Sequence, residues 1–200
     1  MTRTFIALEM VESLQRFLGD LVASASRELP ALRWVESAGI HLTLAFLGEL
    51  DDERLELAME ATGVAAQSIP SFTYRMKGLG VFGQPPQLRV IWMGVEDQPS
   101  PFVQGSPLQL AHRVLNRELE RRHFEVEKRP FAPHLTLARV KYMLSPAEQQ
   151  AVQRLLQSKR AAVSAQWYPA GHLAVMKSAL SRGGAKYTCL GEYALESVKE

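Results

Sequence analysis

His41-Leu42-Thr43-Leu44-Ala45 recurs 93 residues later as His134-Leu135-Thr136-Leu137-Ala138, nearly half the length of this 200-residue chain. A five-residue coincidence in a chain of this size has a chance on the order of one in a hundred, and the repeat uses two of only five histidines, so it is treated as meaningful. In an extended strand alternate side chains share a face. His41 and Thr43 therefore point one way and Leu42 and Leu44 the other, and His134 and Thr136 do the same against Leu135 and Leu137. The leucines supply the core anchor. Each histidine then lies about 6.6 Å along the strand from a hydroxyl on its own face.

The flanks of the two copies are also alike, each reading as a strand that leads into an amphipathic helix. After the first, Gly48-Glu49 and Asp51-Asp52 precede Leu55, Ala58, Met59, Thr62 and Ala66 on one stripe. After the second, Ser145-Pro146-Ala147-Glu148 is a capping-box start ahead of Val152, Leu155 and Leu156. Ser106-Pro107-Leu108-Gln109 opens a third helix, with Leu108, Ala111, Leu115 and Leu119 on one face, and Leu14, Phe17, Leu18 and Leu21 mark a fourth. Strand character appears at Thr4–Glu9, Phe72–Gly78, Leu88–Val95, Val163–Trp167, His172–Leu180 and Lys186–Leu195. Glu96–Gly105 reads as the main mid-chain loop and Ser181-Arg182-Gly183-Gly184 as a hairpin connection. Four helices and about eight strands predict an α+β or mixed protein.

Composition narrows the classes. With 46% apolar residues the chain can bury about 70% of its unfolded surface in one core, so residues 1–200 are expected to form one domain, or two intimate lobes. Twenty-three Lys and Arg against 21 Asp and Glu leave +2, which excludes a histone-like basic chain. The lone cysteine, Cys189, excludes an intrachain disulfide framework and multi-cysteine metal sites, and is expected to be a small buried residue. Uninterrupted apolar runs stop at four residues, as in Phe5–Leu8, so no membrane association is expected and a cytoplasmic location is the default.

If the halves pack about a pseudo-two-fold axis, the two His/Thr faces meet across a cleft and present two imidazoles and two hydroxyls to one ligand. That is the equipment for acid–base hydrolysis of a phosphodiester. A neutral imidazole takes a proton from water while an imidazolium protonates the departing sugar oxygen. Both forms coexist around neutral pH because the ordinary pKa is near 6.5. Thr43 and Thr136 can hold phosphoryl oxygens. Two histidines paired only with threonines leave a first-row metal short of ligands, so no metal is expected.

These residues resemble the two-histidine (2H, LigT-like) phosphoesterases, and more closely the bacterial and archaeal RNA 2′,3′-cyclic phosphodiesterases once described as 2′-5′ RNA ligases. The resemblance runs from Arg3-Thr4-Phe5-Ile6-Ala7-Leu8 through His41–Glu49, Val90–Val95 and Arg129–Arg139 to Gly183–Thr188. It implies a bilobal fold with two pseudo-symmetric, mostly antiparallel sheets, helices on the outer faces and a central groove lined by both motifs. It implies a monomer acting without cofactor on RNA or oligonucleotide 2′,3′-cyclic phosphate ends, giving 2′-phosphomonoesters. His41 would be the proton donor to the leaving 3′ oxygen, His134 the base acting on water, and Thr43 and Thr136 the phosphate ligands. Related 2H chemistry is the alternative: 2′-5′ oligonucleotide cleavage, RNA ligation, or hydrolysis of an ADP-ribose cyclic phosphate. A non-catalytic RNA-end binding module is the rival from another class.

The copies diverge after the alanine, with Phe46 in one and Arg139 in the other. Arg139 is a candidate phosphate clamp or a surface ion pair. Strict alternation from His134 points it away from the site, and a bulge or strand end is needed to turn it in. From Arg121 to Lys141 six basic residues face two acidic ones, a local +4 that reads as an RNA-backbone path or as a solvated helix end and loop. Phe131 and Tyr187 are candidates to stack on a base, against packing in the core or walling the groove. His112, His123 and His172 have no repeat partner and read as structural, and Trp34, Trp92 and Trp167 as core anchors.

Overall fold

The chain's capping chemistry places three of the four α-helices found among the described residues. In the computed structural model, which describes residues 1–101, 103–158, 165–181 and 184–197, Asp51 accepts the Arg54 N–H at 2.8 Å to start α2 (Asp52–Ala66). Ser106 accepts the Gln109 N–H at 3.0 Å to start α3 (Pro107–Arg121). Ser145 and Glu148 form the reciprocal capping box of α4 (Pro146–Gln157). The first helix, α1 (Glu12–Glu28), has no side-chain cap and is held by its buried stripe Leu14, Leu18, Leu21 and Ala25.

The strands are β1 (Thr2–Leu8), β2 (Arg33–Trp34), β3 (Leu42–Leu50), β4 (Phe72–Gln84), β5 (Gln87–Asp97), β6 (His134–Arg139), β7 (Tyr168–Ala170), β8 (His172–Ser181) and β9 (Gly184–Ala194). They pair antiparallel in the order β7-β4-β5-β6-β3-β1-β8-β9, with β2 also on β6. The α+β architecture is the expected one: two four-stranded antiparallel halves with the helices packed on the outer face. The halves meet at a single register pair, Leu42 opposite Leu135. These leucines occupy the same position of the repeat, so the pseudo-two-fold axis passes through the pair. β3 then corresponds to β6, β1 to β5 and β8 to β4. Strands β4 and β5 follow the first motif in sequence but pair in the second half, and β8 and β9 follow the second motif but pair in the first, so each half holds a hairpin from the other.

The core lies between the sheet and the helices. Leu42, Leu44, Leu135 and Leu137 are buried there with Leu14, Leu18, Leu108 and Leu115, while the other sheet face carries the histidines and, among the described residues, no α-helix. Among the described residues no helix is long and apolar enough to cross a membrane.

Several expected boundaries move. β4 runs six residues past Gly78, because Gly80 and Gly83 leave room for neighbouring strand atoms that a Cβ would meet at 2.3 Å and 2.5 Å. The strand expected at Val163–Trp167 is not formed at 165–167, while 163 and 164 lie outside the described residues; the strand there is β7. Of the hairpin connection Ser181–Gly184, positions 182 and 183 lie outside the described residues. Cys189 is exposed rather than buried, because β9 is an edge strand paired only with β8.

Candidate active site

Continuing the Leu42–Leu135 register by one residue each way sets His41 opposite Thr136 and Thr43 opposite His134 on the helix-free face. Both rings are held alike. His41 Nδ1 lies 2.9 Å from the Gly39 carbonyl and His134 Nδ1 lies 2.7 Å from the Ala132 carbonyl, in each case two residues upstream. A carbonyl only accepts, so Nδ1 donates in both and Nε2 is the nitrogen left to do chemistry.

Aromatic walls fix the ring planes. His41 stacks on Phe5 with centroids 4.4 Å apart and meets the edge of Tyr187 at 4.8 Å. His134 meets the edge of Phe82 at 4.9 Å and lies 6.2 Å from the Trp92 ring. Trp92, expected in the core, instead lines the groove, because its β4 neighbour Gly80 has no side chain and the indole occupies that space. Sequence reasoning also missed Phe5 and Phe82, which no motif distinguishes from core aromatics. Burial between Phe5 and Tyr187 pushes the His41 pKa down; the Gly39 carbonyl opposes this and the positive charge of Arg139 adds to it.

Each central strand carries the β-bulge that Arg139 required. On β6 the register passes from Trp92 opposite Thr136 to Ile91 opposite Ala138, skipping Leu137. On β3 it passes from Ala7 opposite Thr43 to Ile6 opposite Ala45, skipping Leu44, the same position of the repeat. Two consecutive residues are therefore buried, Leu137 with Ala138 and Leu44 with Ala45, and the alternation inverts beyond them. Arg139 is thereby turned onto the histidine face. So is its counterpart Phe46, which is 71% exposed and lies 6.2 Å from Phe5. Thr43 and Thr136 stand half-buried on the same face.

The remaining candidates have partners of their own. Phe131 stacks flat on His112 of α3, centroids 4.2 Å apart, and its carbonyl accepts from Gln109 Nε2 at 3.1 Å. In the basic run, Arg121 and Arg122 pair with Glu118, Arg122 also reaches Glu60, and Arg129 pairs with Glu127. Half of that charge is thus compensated within the protein. His123 closes α3 at φ 59° and its carbonyl accepts from Arg54, while His172 contacts Glu9 at 3.2 Å.

An antiparallel sheet folded on a pseudo-two-fold axis, with one His-x-Thr strand from each half at its centre, defines the two-histidine phosphoesterases as a class. A family model described as LigT like Phosphoesterase matches residues 8–92 and 103–187, and the chain belongs to that family. It is 32% identical over 140 residues to an RNA 2′,3′-cyclic phosphodiesterase of Thermotoga maritima, covering 70% of this chain and 71% of that one. A protein of the same name from Methanocaldococcus jannaschii is 25% identical over 191 residues, 96% of this chain and 99% of the other. Among solved structures, E. coli LigT complexed with 3′-AMP superposes with a TM-score of 0.68 at 25% identity, covering 97% of this chain and 98% of that one. The protein TT0787 of Thermus thermophilus shares the fold with a TM-score of 0.76 at 23% identity over 98% of each chain.

Proposed function

We propose that the protein hydrolyses 2′,3′-cyclic phosphate ends of RNA or oligonucleotides to 2′-phosphomonoesters, as a cytoplasmic monomer and without a metal. The observation that carries this is the matched pair of imidazoles, each donating Nδ1–H to a carbonyl and each free at Nε2, on one face at the pseudo-two-fold axis. His134 removes a proton from water as its oxygen bonds to phosphorus. The P–O3′ bond breaks, and the His41 imidazolium protonates the departing O3′. Thr43, Thr136 and Arg139 hold the phosphoryl oxygens, Tyr187 closes the His41 side, and the exposed ring of Phe46 offers a flat face to the base.

Burial of His41 favours its neutral form in the free enzyme, which speaks for the opposite assignment, with His41 as base. Bound phosphate opposes that preference: its charge offsets Arg139 and it accepts a hydrogen bond from the imidazolium. A low-pKa imidazolium is also the stronger proton donor once formed.

A nucleoside 2′,3′-cyclic phosphate incubated with the protein and excess chelator should yield only the 2′-monophosphate, at the rate seen without chelator. A 3′-monophosphate product contradicts the leaving-group assignment, and loss of activity with chelator contradicts the metal-free mechanism.

A further inference from the structure

Arg33 and Arg139 are direct antiparallel partners on β2 and β6, so their guanidinium groups leave the sheet on the same face. That face is the histidine face, since the neighbouring pair, Trp34 and Ala138, packs on the core side. Like charges directly opposite one another destabilise a strand pair. Among the described residues neither arginine has an ion pair with a carboxylate. The two-residue strand is nonetheless firmly placed: Trp34 Nε1 donates to the Leu29 carbonyl at 2.9 Å and the Val35 N–H donates to the Leu137 carbonyl at 2.8 Å. A rigid strand thus holds an uncompensated pair of cations at the end of the groove, an arrangement that an anion would complete.

We propose that Arg33 binds the phosphodiester immediately upstream of the terminal nucleotide, making the site selective for polynucleotide ends over cyclic mononucleotides. This rests on the hydrolase reading above. The reacting phosphate is already met by two imidazoles, two hydroxyls and Arg139. Along β6, His41 stands opposite Thr136 and Arg33 opposite Arg139, three residues on, so Arg33 lies further out along the same face. An RNA ending in a cyclic phosphate has no other anions than that phosphate and the diesters on its 5′ side. The next group in reach of Arg33 is therefore the first of those diesters.

The test is binding of two dinucleotides that both end in a 2′-monophosphate, one with an ordinary phosphodiester between the nucleosides and one with a neutral methylphosphonate. The unmodified protein should bind the diester about tenfold more tightly. Arg33→Gln should bring the ratio close to one without weakening the methylphosphonate ligand, and Arg33→Lys should retain part of it. Arg33 is exposed, so neither variant should lower the melting temperature. An unchanged ratio in Arg33→Gln, or equal weakening of both ligands, overturns the proposal. Turnover of a cyclic phosphate by the unmodified protein judges the hydrolase reading separately, because the ratio is read from binding alone.

Discussion

Replacing His134 with alanine should lower kcat on a nucleoside 2′,3′-cyclic phosphate by about 10³–10⁴-fold, and His41→Ala by a comparable factor, with KM little changed. On the proposed mechanism each imidazole acts on a different proton of one displacement, and neither has a stand-in: the rings that touch His41 are Phe5 and Tyr187, and those beside His134 are Phe82 and Trp92. Phe5, Phe82 and Trp92 carry no titratable proton in the range. The double variant should lose little more than either single one, since groups that act as a unit are far from additive. Single-turnover kinetics on the four proteins, with melting temperatures to show folding, reads this directly. A loss below about tenfold at either position would mean that the ring there is structural.

Arg139→Gln should lower kcat/KM by about 10²-fold, the usual effect of removing one donor from a developing anion. It should also change the pH profile. With Arg139 present its charge adds to burial in holding the His41 pKa below the ordinary 6.5. If His41 must be protonated to act, the alkaline limb of kcat/KM, which reports the free enzyme, falls at a lower pH than an ordinary imidazole would give. Removing the guanidinium raises that pKa and shifts the limb to higher pH. In the unmodified enzyme the limb of kcat should lie above that of kcat/KM, because bound phosphate offsets the same charge. A pH profile that survives Arg139→Gln unmoved would show that the guanidinium does not act on His41.

The elements of this fold that sequence reveals are those with local causes. Ser106, Ser145 and Asp51 announce helices because their side-chain oxygens satisfy first-turn N–H groups. The His-x-Thr strands show through their alternation, and the repeat itself announces the axis through Leu42 and Leu135. What was hidden depends on neighbours distant in sequence. The bulges at Leu44 and Leu137 arise from pairing with β1 and β5, and a period-two pattern in one strand carries no mark of a residue its partner skips. Strict alternation therefore points Arg139 away from the site, and only the pairing turns it in. Trp92 reads as a core residue because only its opposition to Gly80 shows that it lies on the groove side. Nothing in the local sequence marks Arg33, whose partner is more than a hundred residues away.

The division of labour between the two imidazoles is tested most directly with a nucleoside 2′,3′-cyclic phosphate carrying sulfur in place of the 3′ bridging oxygen. A thiolate leaves without a proton, thiols having pKa values near 8.5, so on this substrate the donor is dispensable and the base is not. His41→Ala should come within about tenfold of the unmodified enzyme, while His134→Ala should stay depressed by about 10³-fold. Rescue of His134→Ala instead, or equal loss in both variants, would contradict the account.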